Sequence, residues 1–391
     1  MAEIERTAVA IVGAGPAGLL LSHLLHREGI ASVVIESRTR EAVESTIRAG
    51  ILEQGTVDHL VETGASTRVL VDGGRHEGIE LQFGGAGHRI DFERLVGRAV
   101  YLYPQHEVLK DLVARRLEDG GDIRFGSSVA AVTDVDDRPR ITGTDADGRE
   151  FEILADFVVG ADGSRSATRA AVTGSSTGGY FREYPFAWFG ILTEAPPSAD
   201  ELIYANSDSG FALISQRSAT VQRMYLQCDP GQDPQEWSDA QIWDSLQTRV
   251  AGRELLEGPI FQRDVLRFRS FVAWKLRKGR AFLVGDAAHT VPPTGAKGMN
   301  LAVNDVRILG EGFTAFYRGD GEAGLDGYEE RALRRIWRAQ HFSWWMTSML
   351  HLTPEATDFD RRRQLGELES VVSSDAGSTY LAEAYTGWPY E

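Results

Sequence analysis

Short apolar runs that end at glycine-rich turns recur along the chain, and they predict strands that stop at ligand-binding loops. Ala8 to Val12 is one such strand. The turn Gly13-Ala14-Gly15-Pro16-Ala17-Gly18 follows it, and the next residues place leucines on one helical face. Ser32 to Ile35 is a second strand, and Glu36 ends it. In a βαβ unit of this kind the glycines admit a pyrophosphate and the later acid binds a ribose hydroxyl. We therefore predict a dinucleotide site.

Two later stretches repeat the theme of a strand that ends at a turn. Ala281 to Val284 is an apolar run closed by Gly285-Asp286, and Pro292-Pro293 then argues against helix until a helix begins near Met299-Asn300. The amino end of that helix favours an anion. Phe157 to Ser166 is again a strand, broken by Asp162-Gly163. The three strand ends suggest one extended cofactor.

The remaining pattern indicates a mixture of strands and helices. We predict strands with a turn over Val71 to Ile90, a helix over Glu107 to Glu118, and a meander over residues 123 to 160. Residues 179 to 280 are rich in strands. Helices are predicted over Leu301 to Tyr317 and from Gly327 to about His351, with an aromatic tail that docks on the body.

One predicted hairpin carries candidate chemistry. Its strands cover residues 211–220 and 221–227, and alternation puts Ser215 with Arg217, and Arg223 with Tyr225, on shared faces. If both pairs point the same way, one face presents two guanidinium groups, a hydroxyl and a phenol. The alternative is an outer face that contacts solvent.

Composition limits the function. The 391 residues suit two closely packed domains, and a net charge of -16 argues against nucleic acid or an anionic membrane as a partner. Cys228 is the single cysteine, so a disulfide framework, a cysteine metal cluster and a disulfide reductase are excluded, and a reducing cytoplasm is indicated. The acidic amino terminus does not fit a signal peptide, and Phe342 to Leu352 is too short to span a bilayer. No metal site is predicted.

Together the three glycine motifs resemble those of the flavoprotein aromatic hydroxylases, and the resemblance runs over the whole chain. It implies an α/β fold in which a Rossmann-like FAD-binding domain is interleaved with a mixed-sheet substrate domain and a C-terminal helical region. The expected ranges are 1–75 and 101–178 for the FAD-binding domain, 76–100 and 179–280 for the substrate domain, and 281–391 for the flavin-site strand and helical interface region.

Longer runs, including Glu201 to Asn206 and Ser215 to Thr220, are similar to the hydroxybenzoate-hydroxylating branch of that family. The resemblance implies FAD-dependent 3-hydroxylation of 4-hydroxybenzoate by O2 and NADPH or NADH, through a flavin C4a-hydroperoxide, in a cytoplasmic homodimer. It implies roles for a set of site residues: Ser215, Arg217 and Tyr225 for the carboxylate, Tyr204 and the Pro293 carbonyl for the phenol, and Tyr385 and His76 for the departing proton.

The resemblance also implies cofactor residues. Arg48 and Arg223 are expected to influence flavin position and charge. The further expected FAD residues are Gly13, Gly15, Gly18, Glu36, Gln105, Asp162, Gly285, Asp286, Lys297, Gly298 and Asn300, and the expected nicotinamide residues are Arg38, Arg165 and Arg269. The chain departs from the family at Thr46, at Arg165 and just after Glu36, so the choice between NADPH and NADH stays open.

Three rival functions remain. A hydroxylase for another phenolic acid, such as 3-hydroxybenzoate or protocatechuate, shares the class. A flavin halogenase or saturase shares the FAD motifs, but the halogenase motif W-x-W-x-I-P is absent from the sequence. A nucleotide-binding regulator without turnover is the third.

Overall fold

The computed structural model describes residues 4–45, 50–250 and 252–390. Its strands are β1 Ile4–Val12, β2 Ser32–Glu36, β3 Ile51–Glu53, β4 Gly74–His76, β5 Gly78–Phe83, β6 Ala86–Asp91, β7 Val100–Leu102, β8 Asp122–Phe125, β9 Ser128–Thr133, β10 Arg140–Thr144, β11 Glu150–Gly160, β12 Gly179–Thr193, β13 Leu202–Ser207, β14 Gly210–Gln216, β15 Gln222–Cys228, β16 Ile260–Ala273, β17 Arg277–Lys278, β18 Ala281–Leu283 and β19 His289–Thr290.

The helices alternate with these strands early in the chain and follow them at the end. They are α1 Pro16–Arg27, α2 Arg40–Glu44, α3 Gln54–Glu62, α4 Val69–Asp72, α5 Phe92–Val96, α6 Gln105–Glu118, α7 Thr168–Thr173, α8 Asp239–Arg249, α9 Gly298–Arg318, α10 Ala323–Asp326, α11 Tyr328–Leu350, α12 Asp358–Val372 and α13 Asp375–Thr386. Gly285–Ala287 and Pro293–Gly295 form single 3-10 turns.

The first sheet brings the three predicted strand ends together. Its order is β17-β18-β11-β1-β2-β8, and β1 runs parallel to both β2 and β11. Val12 pairs with Gly160, and Gly160 pairs with Leu283. The turns that follow these residues therefore lie side by side at the carboxyl edge, where open α/β sheets bind ligands.

A second sheet has the order β19-β16-β12-β15-β14-β13-β5-β6. The hairpin prediction is confirmed, since β14 and β15 pair antiparallel with Ser215 opposite Arg223 and Leu213 opposite Tyr225. Opposite residues share a face. That face packs on α11, α12 and α13, whereas the other face packs on α8. The middle strands of the second sheet are thus covered on both faces, and Arg223 is buried among them.

Two local predictions were wrong in detail. Val69–Asp72 is helical rather than extended. Proline does not keep Pro293–Gly295 out of helical structure, because the first position of a turn needs no N–H donor. The tail docks on the body as expected, because α13 buries leucine, alanine and tyrosine side chains in the core beneath the second sheet. In the described ranges, every helix is too short or too polar to cross a membrane.

Candidate active site

The first glycine turn has the geometry that its pattern predicts. Gly13 has φ +106°, and a side chain there would overlap the carbonyl oxygen of Ala161. A side chain at Gly18 would overlap the carbonyl oxygen of Gly13, so α1 can pack closely on β1 only with glycine. At Gly15 the nearest atom to an added Cβ lies 3.9 Å away. The turn is therefore tight on the protein side and open on the side where a pyrophosphate would lie.

Glu36 ends β2 beside this turn. Its carboxylate accepts hydrogen bonds from the Ala14 amide at 2.8 Å and from the amide and Nε of Arg38 at 3.0 and 2.9 Å. Burial alone would raise the pKa of Glu36, but the Arg38 side chain and the two amides outweigh it and lower the pKa. An ionised carboxylate is thus held at the position predicted to bind ribose.

The two remaining strand ends are joined by a residue that the sequence did not reveal. Arg169 is buried on α7 and donates to the carbonyls of Ser164, Ser176, Asp286 and Ala287 at 2.8 to 3.2 Å. Its guanidinium therefore ties the turn after β11 to the turn after β18. An isolated arginine in a short helix carries no pattern that would have indicated this contact.

A pair of residues that the sequence did not reveal lies behind the turn after β18. His289 and Asp305 are fully buried, with His289 Nε2 2.7 Å from Asp305 Oδ2, and that oxygen also accepts the Gly285 amide at 2.9 Å. Burial alone would lower the pKa of His289, but the carboxylate of Asp305 overrides it and raises the pKa. The pair fixes the turn to α9.

Several atoms at this edge fit an extended polar cofactor. Asp162 Oδ2 accepts from the amide and hydroxyl of Thr168 at 3.1 Å, while its Oδ1 is buried and finds no hydrogen-bond partner. Buried polar atoms are rarely left unpaired. An added Cβ at Gly298, which begins α9, would have its nearest neighbour 4.0 Å away. An unpaired buried oxygen and open space therefore lie along the same edge.

On the hairpin face, Ser215 and Arg217 are half-buried and Arg223 is buried. The Ser215 hydroxyl donates to the Arg223 carbonyl at 2.7 Å. The guanidinium of Arg223 is buried, lies 3.2 Å from Asp264 Oδ2 and packs over the Tyr225 ring, while its Nε and Nη1 have no hydrogen-bond partner. Desolvation and the charge of Arg223 lower the pKa of Arg217. Two neighbouring cations in a poorly solvated place favour an anion between them.

A phenol pair lies farther along the same face. The hydroxyls of Tyr204 and Tyr385 are 2.6 Å apart, and both side chains are about 1% exposed. Burial raises the pKa of Tyr204 above its usual value, and burial also raises the pKa of Tyr385. Each phenol is therefore held neutral, and the pair offers a path along which a proton can move.

The expected end of that path is less direct. His76 is buried in β4, and its Nε2 lies 3.1 Å from Nε2 of Gln216. Desolvation lowers its pKa. The hydrogen bonds among described residues do not include one between Tyr385 and His76, so the relay to His76 stays a prediction. Pro293 is half-buried, and its carbonyl accepts the Ala296 amide at 2.9 Å within the 3-10 turn.

Other expected cofactor residues have strong contacts within the protein. Lys297 is buried, with Nζ 2.7 Å from Glu53 Oε1 and 2.8 Å from the Tyr385 carbonyl. Asn300 joins α9 to β3, accepting from the Glu53 amide and donating to the Ile51 carbonyl. Gln105 is half-buried at the first position of α6. Their roles toward a cofactor stay predictions.

Two of the three expected nicotinamide residues lie together. Arg269 is exposed on β16 and donates to the Ser164 hydroxyl at 2.7 Å, next to exposed Arg165. Arg38 instead pairs with Glu36 at the end of β2. Arg48, which was expected to influence the flavin, lies outside the described residues.

Comparison with known proteins agrees with this geometry. Residues 6–343 match the family model described as "FAD binding domain". The solved structure of p-nitrophenol 4-monooxygenase PnpA from Pseudomonas putida DLL-E4 superposes with a TM-score of 0.83 over 100% of both chains, at 20% identity. The chain belongs to this FAD-binding family, and its cofactor is FAD.

The full-length likeness is more specific. The chain is 42% identical over 99% of its length to p-hydroxybenzoate hydroxylase of Acinetobacter baylyi, covering 96% of that protein. A 3-(3-hydroxy-phenyl)propionate/3-hydroxycinnamic acid hydroxylase of Mycobacterium sp. strain JLS is 26% identical over 83% of the chain and is covered for 56% of its length. The predicted resemblance to the flavoprotein aromatic hydroxylases is confirmed, and the chain is an FAD-dependent oxidoreductase of that class.

Proposed function

We propose that this chain converts 4-hydroxybenzoate to 3,4-dihydroxybenzoate, consuming O2 and NADPH or NADH and releasing water. The observation that carries the proposal is the single buried sheet face that holds Arg217 and Arg223 near one end and the Tyr204–Tyr385 pair farther along. A ring with a carboxylate at one end and a phenol opposite is complementary to that face. The relative's name points to the same substrate.

The register supports an elongated substrate. Tyr204 lies opposite Leu213, and Arg217 is four residues beyond Leu213 in sequence. At about 3.3 Å per residue the two backbone positions are separated by roughly 13 Å along the strand direction. Long side chains that reach inward from both positions leave room for one aromatic acid. Arg217 would hold its carboxylate with paired hydrogen bonds, helped by Ser215 and Tyr225.

The carboxyl edge of the first sheet, where FAD is expected, is connected to this face of the second sheet by the loop between β18 and α9. The loop begins at Gly285, whose amide Asp305 holds, and reaches Lys297, whose ammonium touches the Tyr385 carbonyl. Bound FAD would supply the electrophilic oxygen, with the nicotinamide as reductant and O2 as the oxygen source. Arg217 at one end and Tyr204 at the other would fix the orientation of the ring, which decides the carbon that is hydroxylated.

The chain's own residues must also activate the ring. A phenol is a better nucleophile without its proton, so Tyr204 would accept a hydrogen bond from the substrate and pass the proton on to Tyr385. Because burial raises the pKa of both tyrosines, neither holds a negative charge, and the proton moves through the pair in concert. His76, whose pKa is lowered, is the proposed acceptor beyond them.

Product analysis tests this proposal. Purified protein with FAD, O2 and 4-hydroxybenzoate is incubated with NADH or NADPH, and the products are separated by chromatography. We expect 3,4-dihydroxybenzoate, with one nicotinamide preferred. Parallel incubations with 3-hydroxybenzoate and 3,4-dihydroxybenzoate address the rival phenolic acids. Turnover of either rival in place of 4-hydroxybenzoate would contradict the proposal.

We further propose that the enzyme acts as a cytoplasmic homodimer. This rests on the family resemblance and on the exposed aromatic residues Tyr180, Phe181, Trp337 and Trp344, which are typical of subunit contacts. Sedimentation of the FAD-bound protein tests the oligomeric state.

A further inference from the structure

A buried ion network lies next to the phenol pair and is not part of the proposed chemistry. The carboxylate of Glu53 forms two salt bridges: Oε1 lies 2.7 Å from Lys297 Nζ, and Oε2 lies 2.9 Å from Arg335 Nη2. The three side chains are 4%, 1% and 12% exposed. A buried carboxylate is tolerated only when it is paired, and its pairing is strongest when water is kept out. The network thus depends on whatever covers it.

One end of the network reaches the proposed proton path. Lys297 Nζ donates a second hydrogen bond, at 2.8 Å, to the backbone carbonyl of Tyr385. The hydroxyl of the same residue lies 2.6 Å from Tyr204. Any displacement of the Lys297 ammonium would therefore act on the backbone that carries the second phenol. Glu53 orients that ammonium.

The cover is the C-terminal segment Gly387–Tyr390, which follows α13 directly. Gly387 has φ +93°, and a side chain there would overlap Glu53 Oε2, so the segment lies against the carboxylate itself. Arg335 Nη1 donates to the Trp388 carbonyl at 2.8 Å while its Nη2 holds Glu53. One guanidinium therefore joins the segment to the network.

Further arginines fix the same segment from outside. Arg98 donates to the Gly387 carbonyl at 2.6 Å, and the Arg338 guanidinium stacks over the Trp388 ring at 4.2 Å. The Arg307 guanidinium lies 4.5 Å from the centroid of Tyr390. These are cation–π and charge-assisted contacts in a half-buried setting, where both kinds of contact are effective.

We propose that Arg335 and the segment Gly387–Tyr390 position Tyr385 for proton transfer, by keeping the Glu53–Lys297 pair dry and in place. The inference rests on the proposed function. Without the segment, water reaches Glu53 and weakens its hold on Lys297, and the Tyr385 carbonyl loses a fixed donor. The phenol pair then samples longer separations, and the bound substrate keeps its proton more often.

The experiment compares Arg335→Met with Arg334→Met, a matched control on the same helix whose guanidinium pairs with Glu330 on the surface. Trp388→Ala and its conservative partner Trp388→Phe test the cover. Three quantities are measured on each FAD-bound protein: product formed per nicotinamide oxidised, FAD retention, and the pH at which bound 4-hydroxybenzoate ionises, followed by ultraviolet difference spectra.

We expect Arg335→Met and Trp388→Ala to keep FAD but to form about 10-fold less product per nicotinamide oxidised, since a misplacement near 1 Å costs up to about 100-fold. Ionisation of the bound phenol should move to higher pH. Arg334→Met and Trp388→Phe should match the parent. Absence of product from the parent would refute the proposed function instead. The inference is overturned if the parent forms product and both Arg335→Met and Trp388→Ala form as much product per nicotinamide oxidised. It is also overturned if Arg334→Met loses as much product as Arg335→Met.

Discussion

Replacing Tyr204 with phenylalanine should separate binding from hydroxylation. The change removes one hydroxyl from a buried pair whose oxygens are 2.6 Å apart, leaving Tyr385 without that partner. An unpaired buried hydroxyl costs about 1–3 kcal/mol. For 391 residues, unfolding entropy near 2.1 cal/mol/K per residue gives a total of about 0.8 kcal/mol/K, so Tm should fall by only about 1–4 °C. The variant should therefore fold and bind FAD.

The catalytic loss should be far larger. Positioned acid–base groups contribute about 10²- to 10⁴-fold to a rate, so hydroxylation should slow at least about 100-fold while 4-hydroxybenzoate still binds through Arg217. The assay compares 3,4-dihydroxybenzoate formed, nicotinamide oxidised and hydrogen peroxide released. We expect nicotinamide oxidation to continue and peroxide to replace the hydroxylated product.

A matched variant controls for the lost hydrogen bond. Tyr328 is fully buried, and its hydroxyl donates to the Leu283 carbonyl at 2.7 Å, away from the phenol pair. Tyr328→Phe should lower Tm by a similar amount without changing the ratio of product to nicotinamide. A normal product yield from Tyr204→Phe would refute the proton path.

Three other perturbations test separate parts of the site. Arg217→Lys should weaken 4-hydroxybenzoate binding about 10-fold or more in a flavin absorbance titration, because an ammonium cannot form the paired hydrogen bonds of a guanidinium, and unchanged affinity would place the carboxylate elsewhere. Gly18→Ala should prevent folding because its Cβ would overlap the Gly13 carbonyl. Gly15→Ala should fold but bind FAD more weakly in equilibrium dialysis. If the protein tolerates both changes equally, the turn geometry is contradicted. The raised pKa of His289 means that its ion pair with Asp305 stabilises the fold fully below pH 6.5 and that this stabilisation is lost as pH rises through the folded pKa. In Asp305→Asn the urea concentration at the unfolding midpoint should therefore fall less steeply as pH rises above 6.5. An unchanged pH dependence would show that the pair does not stabilise the fold in this way.

The sequence predicted the parts of the site that local pattern determines. The glycine turn after β1 and the hairpin of β14 and β15 are short-range features, and alternation alone put Ser215 and Arg223 on faces that the observed register joins. The ends of β1, β11 and β18 were expected to share one cofactor because each strand stops at a glycine-rich turn, and their parallel pairing places those turns at one edge.

Other features escaped prediction because they depend on contacts between distant segments. Arg169 and the His289–Asp305 pair have no distinguishing spacing, and only the folded chain brings their partners within reach. Glu53 and Arg335 are 282 residues apart in sequence, and their pairing beside Gly387 brings α11 and the segment after α13 to the end of β3. The single 3-10 turn at Pro293 was missed because proline was considered only as a helix breaker.

The central claim is that one carboxylate clamp and one phenol pair hold an aromatic acid beside FAD. A crystal structure of the FAD complex with 4-hydroxybenzoate tests it most directly. We predict the substrate carboxylate within hydrogen-bonding distance of Arg217 and Ser215, and the phenol oxygen within hydrogen-bonding distance of the Tyr204 hydroxyl. A substrate whose carboxylate lies away from Arg217, or whose phenol faces away from Tyr204, would contradict the account.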